Sequence, residues 1–446
     1  MLVLNEFLRN QVPTAVREIE LSDLQPVIDL EGYKQAYVVI RYQGTVIGRE
    51  WFPIVEGRVE LGVVKKYCEQ LAWRVWQRKF SQQPINGPGI SNVSVIVCTR
   101  NRTDDLANCL PGLQRLIPHV SEVVIVDSCP SDDSTRNLVA TYPDIRYVHE
   151  PRPGLGLARN TGIGASTGSF IAFTDDDAVI EDDWLEKLMR NFNDPMVAVA
   201  TGIALPIELE TAAQVWFERT NSFVKGFERR VFQSYFTPPL SAGITGAGVN
   251  LAIRRSALEE IGLFSVALGP GTPAGTGDDH EFLYRALARG WKVVFDPEAI
   301  VWHKHRRDWD SLKSTIYTYG KGVYAWWTRA LLIEKEITVF WYATKWFLGF
   351  QVRNLLRSAI GIPTDYSFDL ASAEFRGALA GPLGYLKARR WQQTLPGLAG
   401  PSDLLPTFHP EPKPGSKHEA GQFDVATGLS FSAGEKETPF INEPAT

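Results

Sequence analysis

Apolar and polar positions alternate through AYVVIRYQGTVIGREWFPIVEGRVEL, residues 36–61, with turn signals at Gln43-Gly44 and Glu56-Gly57. A helical pattern follows through Arg78, so a small β-rich module is expected over residues 1–91. It ends in SQQPINGPGISN, 81–92, whose Pro, Gly, Ser and Asn read as a linker. From Asn92 the pattern changes to apolar runs separated by helical stretches: SVIVC, a helix around DDLANCLPGLQRL, EVVIVD, a helix from DDSTRNLVATY, then IRYVHE. Strands apolar along their whole length, spaced by helices, predict a parallel α/β sheet covered on both faces. Ligands of such sheets gather at the carboxyl ends of strands, so the chemistry is expected after Cys98, Asp127 and Thr174. The polar clusters TRNR (99–102), DSCPSDDS (127–134) and DDD (175–177) fall at those places. Residues 309–400 read as a helical, aromatic-rich segment. Residues 401–446, rich in Pro, Gly and charge without periodicity, are expected to be disordered.

Composition narrows the class. The 446 residues, 44% hydrophobic and 22% charged, suffice for two or three folded domains, and a net charge of -5 argues against nucleic acid as a partner. Cys68, Cys98, Cys109 and Cys129 have no CxxC spacing, which indicates neither zinc nor a disulfide framework and fits a reducing cytoplasm. MLVLNEFLRN lacks the basic n-region and long apolar h-region of a signal peptide. The most lipid-like stretch, ITVFWYATKWFLGFQV at 337–352, is interrupted by Lys345 and followed by Arg353, short of the roughly 20 apolar residues of a spanning helix. Trp326, Trp327, Trp341 and Trp346 with Lys345, Arg353 and Arg357 fit a helix lying in a membrane interface, and fit core packing equally well. Both readings stay open for residues 323–362, and with them peripheral contact at the inner face of a cell membrane.

The sharpest chemical signal is FIAFTDDDA, 170–178. Asp175, Asp176 and Asp177 crowd negative charge at one strand end, a self-repulsion that calls for a cation. Hard oxygen ligands suit Mg²⁺ or Mn²⁺ holding a diphosphate. A solvated turn capping the next helix would account for Asp182 and Asp183, but not for the first three acids. Arg159, in the glycine-spaced GLGLARNTG, suits charge-assisted pairing with a diphosphate, the alternative being a helix residue paired to a surface acid. Those glycines are no dinucleotide fingerprint, because they follow a Glu150-Pro151 turn and no ribose-binding acid comes at the usual interval. GTGDDHEF, 275–282, supplies carboxylates for proton abstraction. VWHKHRR offers His303 or His305 as a ligand. Trp291 and Trp302 receive no role.

SVIVCTRNR, EVVIVDSCPSDDST, GLGLARNTGIGASTGSFIAFTDDDA, GAGVNLAIRRSAL and GTGDDHEFLYRALARGW, over roughly residues 92–305, resemble glycosyltransferase family 2. The resemblance implies a GT-A fold over 92–308, Rossmann-like with a mostly parallel sheet flanked by helices. It further implies inverting, metal-assisted transfer from a nucleoside-diphosphate sugar, most commonly a UDP-sugar, to a glycan or lipid-linked acceptor in polysaccharide or glycolipid synthesis. Carried over by position, Asp177 is the direct metal ligand, Asp175 shares the metal and nucleotide motif, and Asp176 stands with them on the nucleotide-sugar side. Thr99 and Asp127 meet the nucleoside base, and Arg159 and Asn160 lie near the nucleotide. Asp279 is the catalytic carboxylate, and His303 matches a position that brings histidine to the metal or diphosphate. Where the family usually has Glu-Asp, this chain has Asp278-Asp279. A nucleotidyl transferase would need a glycine-rich loop after the first strand, and CTRNRTDD has none. A non-catalytic sugar-nucleotide sensor or scaffold of a polysaccharide assembly is the alternative, against which a base at Asp279 counts.

Overall fold

The computed structural model of the chain describes residues 8, 10–81, 87–362 and 364–397. The tail expected at 401–446, the centre of the expected linker at 82–86 and residues 1–7 lie outside the described residues.

The alternating N-terminal pattern forms a three-stranded sheet of β1 (Thr14–Glu20), β2 (Gln35–Tyr42) and β3 (Thr45–Pro53). Gln43 and Gly44 both take positive φ, 50° and 77°, the two-residue turn whose twist matches its flanking strands. The Glu20 carboxylate accepts both turn N–H groups at 2.9 Å. Because successive side chains point to opposite faces, Ala36, Val38 and Ile40 pack with Val64 and Cys68 of the helix Leu61–Gln70, whereas Tyr37 and Val39 join the main core. The small sheet is therefore packed into the body of the protein on one face.

The apolar runs beyond it form a nine-stranded sheet. β4 (Val93–Thr99), β5 (Glu122–Ser128), β6 (Ile145–Glu150) and β7 (Phe170–Asp175) run parallel, as expected. Ile96, Val124, Val126 and Phe173 bury against Ala158 and Ile163 of the helix Leu155–Ala165. The opposite positions, Val95, Val97, Val123 and Ile125, bury against Leu106, Leu110 and Leu113 of the helix Thr103–Leu116. Each such side chain contributes about 1.5–3 kcal/mol.

The other half of the sheet is mixed. β8 (Ala178–Ile180) pairs with β12 (Lys292–His303), and β9 (Val197–Pro206), β10 (Arg230–Phe232) and β11 (Asn250–Arg254) complete the order β10-β12-β9-β11-β7-β4-β5-β6. β11 is antiparallel to both β7 and β9, and β12 is parallel to β9. β12 thus shares the direction of β4, β5 and β7, and all four open their carboxyl ends on one edge.

Two 25-residue helices, Trp309–Ile333 and Phe368–Gln392, follow. Their axes approach so closely that a Cβ on Gly377 would lie 2.1 Å from the Tyr317 carbonyl oxygen, and one on Gly320 would lie 2.4 Å from that of Glu374. No described helix is long and apolar enough to cross a membrane. Trp326 and Trp327 pack in the core, whereas Phe340, Trp341 and Leu348 are 66%, 68% and 58% exposed. Core packing thus accounts for Trp326 and Trp327 but not for Phe340, Trp341 and Leu348. All four cysteines are free.

Candidate active site

β7 ends on Asp175, and after one turn the chain re-enters the sheet as β8, whose Ala178 pairs with His303. That pairing, with the Lys304 N–H donated to the Asp177 carbonyl at 3.0 Å, draws a histidine from the far end of the domain onto the acid turn. Ligand atoms of Asp175, Asp177 and His303 lie within 4.8 Å of one another. His303 Nε2 is 3.3 Å from Asp177 Oδ1, a buried oxygen that accepts no well-formed hydrogen bond. Two carboxylates and one imidazole with an unsatisfied oxygen fit a divalent cation of the Mg²⁺ or Mn²⁺ type. Asp176 turns the other way: Thr99 donates to its Oδ2 at 2.7 Å, and Arg102 Nη1 to its Oδ1 at 2.8 Å.

Arg102 spans the acids, since its Nη2 also donates to Asp177 Oδ2 at 2.7 Å. Burial pushes the Asp176 carboxyl up to about 7, with Arg102 and Thr99 opposing. Burial also pushes Asp175 up, reinforced by Asp177 and opposed by Arg159. Burial would raise Asp177 too, but His303 and Arg102 together hold it well below the usual range. Correspondingly, burial lowers His303, but Asp177 and Asp175 outweigh it, and the net direction is up.

These groups line a cleft of about 610 Å³, together with Arg100, Arg306 and Lys321. Three basic side chains beside a row of acids suit a ligand that is itself anionic and metal-bound.

The pair Asp278-Asp279 begins the helix Asp278–Ala288 and divides its work. Asp278 is buried and ion-paired with Arg159. Burial pushes its carboxyl up to about 6 despite that pairing. Asp279 is half-buried, its Oδ2 accepting the Gly248 N–H at 2.9 Å and its Oδ1 the His280 N–H at 2.8 Å. Burial raises Asp279, but His280, Arg159 and those two N–H groups pull it below its ordinary value, so it is an ionised acceptor at neutral pH. Gly248 permits this approach: a Cβ there would lie 2.6 Å from Arg159 Nη2 and 3.2 Å from Asp279 Cβ.

Thr99 and Asp127 face each other in the β4–β5 register on the same edge. Asp127 is fully buried, takes the Tyr147 hydroxyl on Oδ2 at 2.9 Å and leaves Oδ1 without a partner. Burial shifts its carboxyl upward. Arg159 and Asn160, expected near the nucleotide, are both engaged by groups of the protein itself. Arg159 is buried against Phe173 and Phe264, their ring centres 5.8 and 5.1 Å away, and its guanidinium meets Asp278 and, at 3.9 Å, Asp175. Asn160 donates to the Phe264 carbonyl at 2.9 Å and accepts the Phe264 N–H at 3.0 Å, which occupies both ends of its amide. Arg159 meets the cleft through Asp175, whereas Asn160 ties the helix Leu155–Ala165 to the Phe264 backbone.

Two groups beside these residues, Arg102 and Glu218, received no role in the sequence reading, and a third, His305, was left level with His303. Arg102 was visible only as the last residue of the polar cluster TRNR, 99–102, with no partner of its own. His305 stood level with His303, yet burial drives its imidazole well below the ordinary value, and His303 is the ring at the acids. Glu218, fully buried behind His305 at 3.1 Å, carried no local signal.

Residues 94–262 match the family described as Glycosyl transferase family 2. The chain is 31% identical over 244 residues to the Pre-mycofactocin glycosyltransferase of Mycobacterium tuberculosis (strain ATCC 25618 / H37Rv), covering 52% of this chain and 47% of that protein. It is 30% identical over 221 residues to the Succinoglycan biosynthesis protein ExoM of Rhizobium meliloti (strain 1021), covering 47% of this chain and 66% of that protein. The chain thus spans about half the length of the first of these relatives. Among solved structures, a mannosyltransferase, PcManGT from Pyrobaculum calidifontis in complex with GDP-Man and Mn2+, aligns at TM-score 0.41 and 18% identity, covering 73% of this chain and 82% of that one.

Proposed function

We propose that this chain, which belongs to glycosyltransferase family 2 through residues 94–262, transfers a sugar from a nucleoside-diphosphate donor to a hydroxyl acceptor with inversion. One observation carries the reading. Asp175, Asp177 and His303 converge at the edge where an α/β sheet binds ligands, and a further, ionised carboxylate, Asp279, near enough to raise the Asp175 carboxyl, is held by the Gly248 N–H.

Asp175, Asp177 and His303 would hold a divalent cation, Mn²⁺ or Mg²⁺, which when bound offsets charge on the departing diphosphate. Thr99 and Asp127 flank the nucleoside end, where the orphaned Asp127 Oδ1 awaits a donor such as a base N–H or ribose hydroxyl. Arg100 and Lys321 reach the same cleft as counter-charges for phosphate oxygens. Asp279 takes the acceptor's proton as its oxygen attacks the anomeric carbon from the face opposite the leaving group. The two N–H groups on Asp279 fix its direction and leave lone pairs for that proton. Arg159 serves from below, keeping Asp278 and Asp175 in register.

The exposed Ile337, Phe340, Trp341 and Leu348, with Lys345, Arg353 and Arg357 also at the surface, support a face that rests on an anionic membrane. A lipid-linked acceptor would then be delivered along that surface, as in polysaccharide or glycolipid assembly.

Release of nucleoside diphosphate from a panel of sugar nucleotides tests the reading without knowledge of the acceptor. Asp279→Asn should lower turnover on the order of 10²–10⁴-fold and leave nucleotide binding intact. Undiminished turnover in that variant removes Asp279 as base. Nucleotide binding by the native chain without turnover of any donor favours the sensor or scaffold.

A further inference from the structure

We infer that Glu218 and His305 are positioning residues that fix which nitrogen of His303 faces the acid turn, and that the N-terminal sheet takes part in the site through them. The inference rests on the reading of Asp175, Asp177 and His303 as cation ligands.

A continuous polar chain runs inward from the cleft. His303 Nδ1 lies 3.0 Å from His305 Nδ1, and His305 Nε2 lies 3.1 Å from Glu218 Oε2. Glu218 is fully buried, and its other oxygen accepts the hydroxyls of Tyr37 and Ser222, both at 2.9 Å, and the guanidinium of Arg49. Arg49 Nη1 also donates to the Tyr37 hydroxyl at 2.7 Å. Tyr37 belongs to β2 and Arg49 to β3, so the small N-terminal sheet supplies two of the groups that hold Glu218 in place.

Hydrogen counting gives the chain one direction. Glu218, an acceptor, requires the hydrogen of His305 on Nε2, which leaves His305 Nδ1 as a lone pair. Two facing nitrogens 3.0 Å apart hold one hydrogen between them, and it must therefore sit on His303 Nδ1. The nitrogen of His303 left for coordination is Nε2, the atom 3.3 Å from Asp177 Oδ1. This is the arrangement in which a partner on one ring nitrogen sets the tautomer and orientation of a histidine at a metal.

Packing keeps both rings where the hydrogen bonds need them. Phe223 meets His303 edge-on, centres 5.2 Å apart, and Phe217 lies 4.7 Å from His305. Gln214, which with Thr211 forms the capping box of the helix Ala212–Thr220, donates to the His305 carbonyl at 3.3 Å. One helix therefore carries Glu218, Phe217 and Gln214, and grips His305 at ring and backbone. Without this support the His303 ring has no partner at Nδ1, and its tautomer and tilt are free to vary.

Mn²⁺ binding to the full chain, followed by loss of the free-ion electron paramagnetic resonance signal, tests the inference. His305→Phe keeps a ring and removes the acceptor, so affinity should fall roughly 10–100-fold. His305→Gln returns an amide oxygen that can accept from His303 Nδ1, and should recover part of that loss. Tyr37→Phe, nearly isosteric and in a different sheet, should weaken binding several-fold. Native affinity in His305→Phe, or equal losses in the Phe and Gln variants, overturns the positioning role. Should His305→Phe fail to fold, the Gln and Tyr37→Phe variants decide, and native affinity in Tyr37→Phe removes the N-terminal sheet from the account. Asp177→Ala separates this from the underlying reading: if it too binds Mn²⁺ like the native chain, the cation site itself is wrong, whereas its loss beside an unaffected His305→Phe condemns the relay alone.

Discussion

Arg102 Nη2 lies 2.7 Å from Asp177 Oδ2, and the same guanidinium reaches Asp176 Oδ1 with Nη1 at 2.8 Å. A single cation, placed just before the helix Thr103–Leu116, thereby neutralises much of the charge that FIAFTDDDA crowds at a strand end. The row of acids is not left to a bound metal alone. Arg102 faces Asp176 and one oxygen of Asp177, whereas Asp175, His303 and the other oxygen of Asp177 cluster as the proposed ligands of a cation.

Arg102→Met should therefore destabilise the metal-free protein by about 1–3 kcal/mol, less than for a wholly buried ion pair because Arg102 is partly exposed. Saturating Mn²⁺ should restore part of that loss, since it supplies charge to the same acids. Urea unfolding with and without Mn²⁺ measures both. An equal loss under the two conditions means that Arg102 and the cation do not act on a common cluster.

The sheet was legible wherever burial on both faces forced a strand to be apolar throughout. IRYVHE became β6 over the same six residues, and FIAFT became β7 with Asp175 added at its end. The site's edge was legible for the same reason, because polar residues directly after such strands have few other roles. Strand direction was not: β11, from GVNLAIR, is as apolar as its neighbours, and nothing local records that it runs antiparallel between β7 and β9. Pairings across long separations were also hidden. Arg102 stands 75 residues from Asp177, and Glu218 stands 87 from His305. Arg159 and Asn160 were placed near the nucleotide by the resemblance of GLGLARNTG to a family segment, but their partners include a buried carboxylate and the Phe264 backbone, which no motif displays.

Asn160→Ala tests that distinction. It leaves the Phe264 N–H and carbonyl unpartnered, so unfolding free energy should drop by about 1–3 kcal/mol. The dissociation constant for nucleoside diphosphate, from calorimetry on the folded variant, should stay within twofold of the native value. A tenfold weakening with native stability would return Asn160 to the nucleotide.

Glu374, in the helix Phe368–Gln392, gives a pH signature independent of the cleft. Burial pushes its carboxyl from 4.5 up to about 7, with Tyr366 and Gln351 beside it opposing. The native state thus binds this proton more tightly than the unfolded chain. Its contribution is fully present below pH 4.5 and is lost as pH rises through about 7. Between pH 5 and pH 8 the native chain should lose about 1–3 kcal/mol more stability than Glu374→Gln. Parallel stability curves for the two proteins would contradict the assignment.

The central claim is that the acid turn holds a cation and, through it, a nucleoside diphosphate. Its most direct test is thermal unfolding of the full chain with UDP, GDP and dTDP, each with and without Mn²⁺, beside Asp177→Ala. At about 100 times its dissociation constant, the matching nucleotide should add roughly 2.7 kcal/mol of stability. The account predicts that one carrier stabilises the native protein only when Mn²⁺ is present, and that Asp177→Ala does not respond. Stabilisation of both proteins alike, or of neither by any nucleotide, would contradict it.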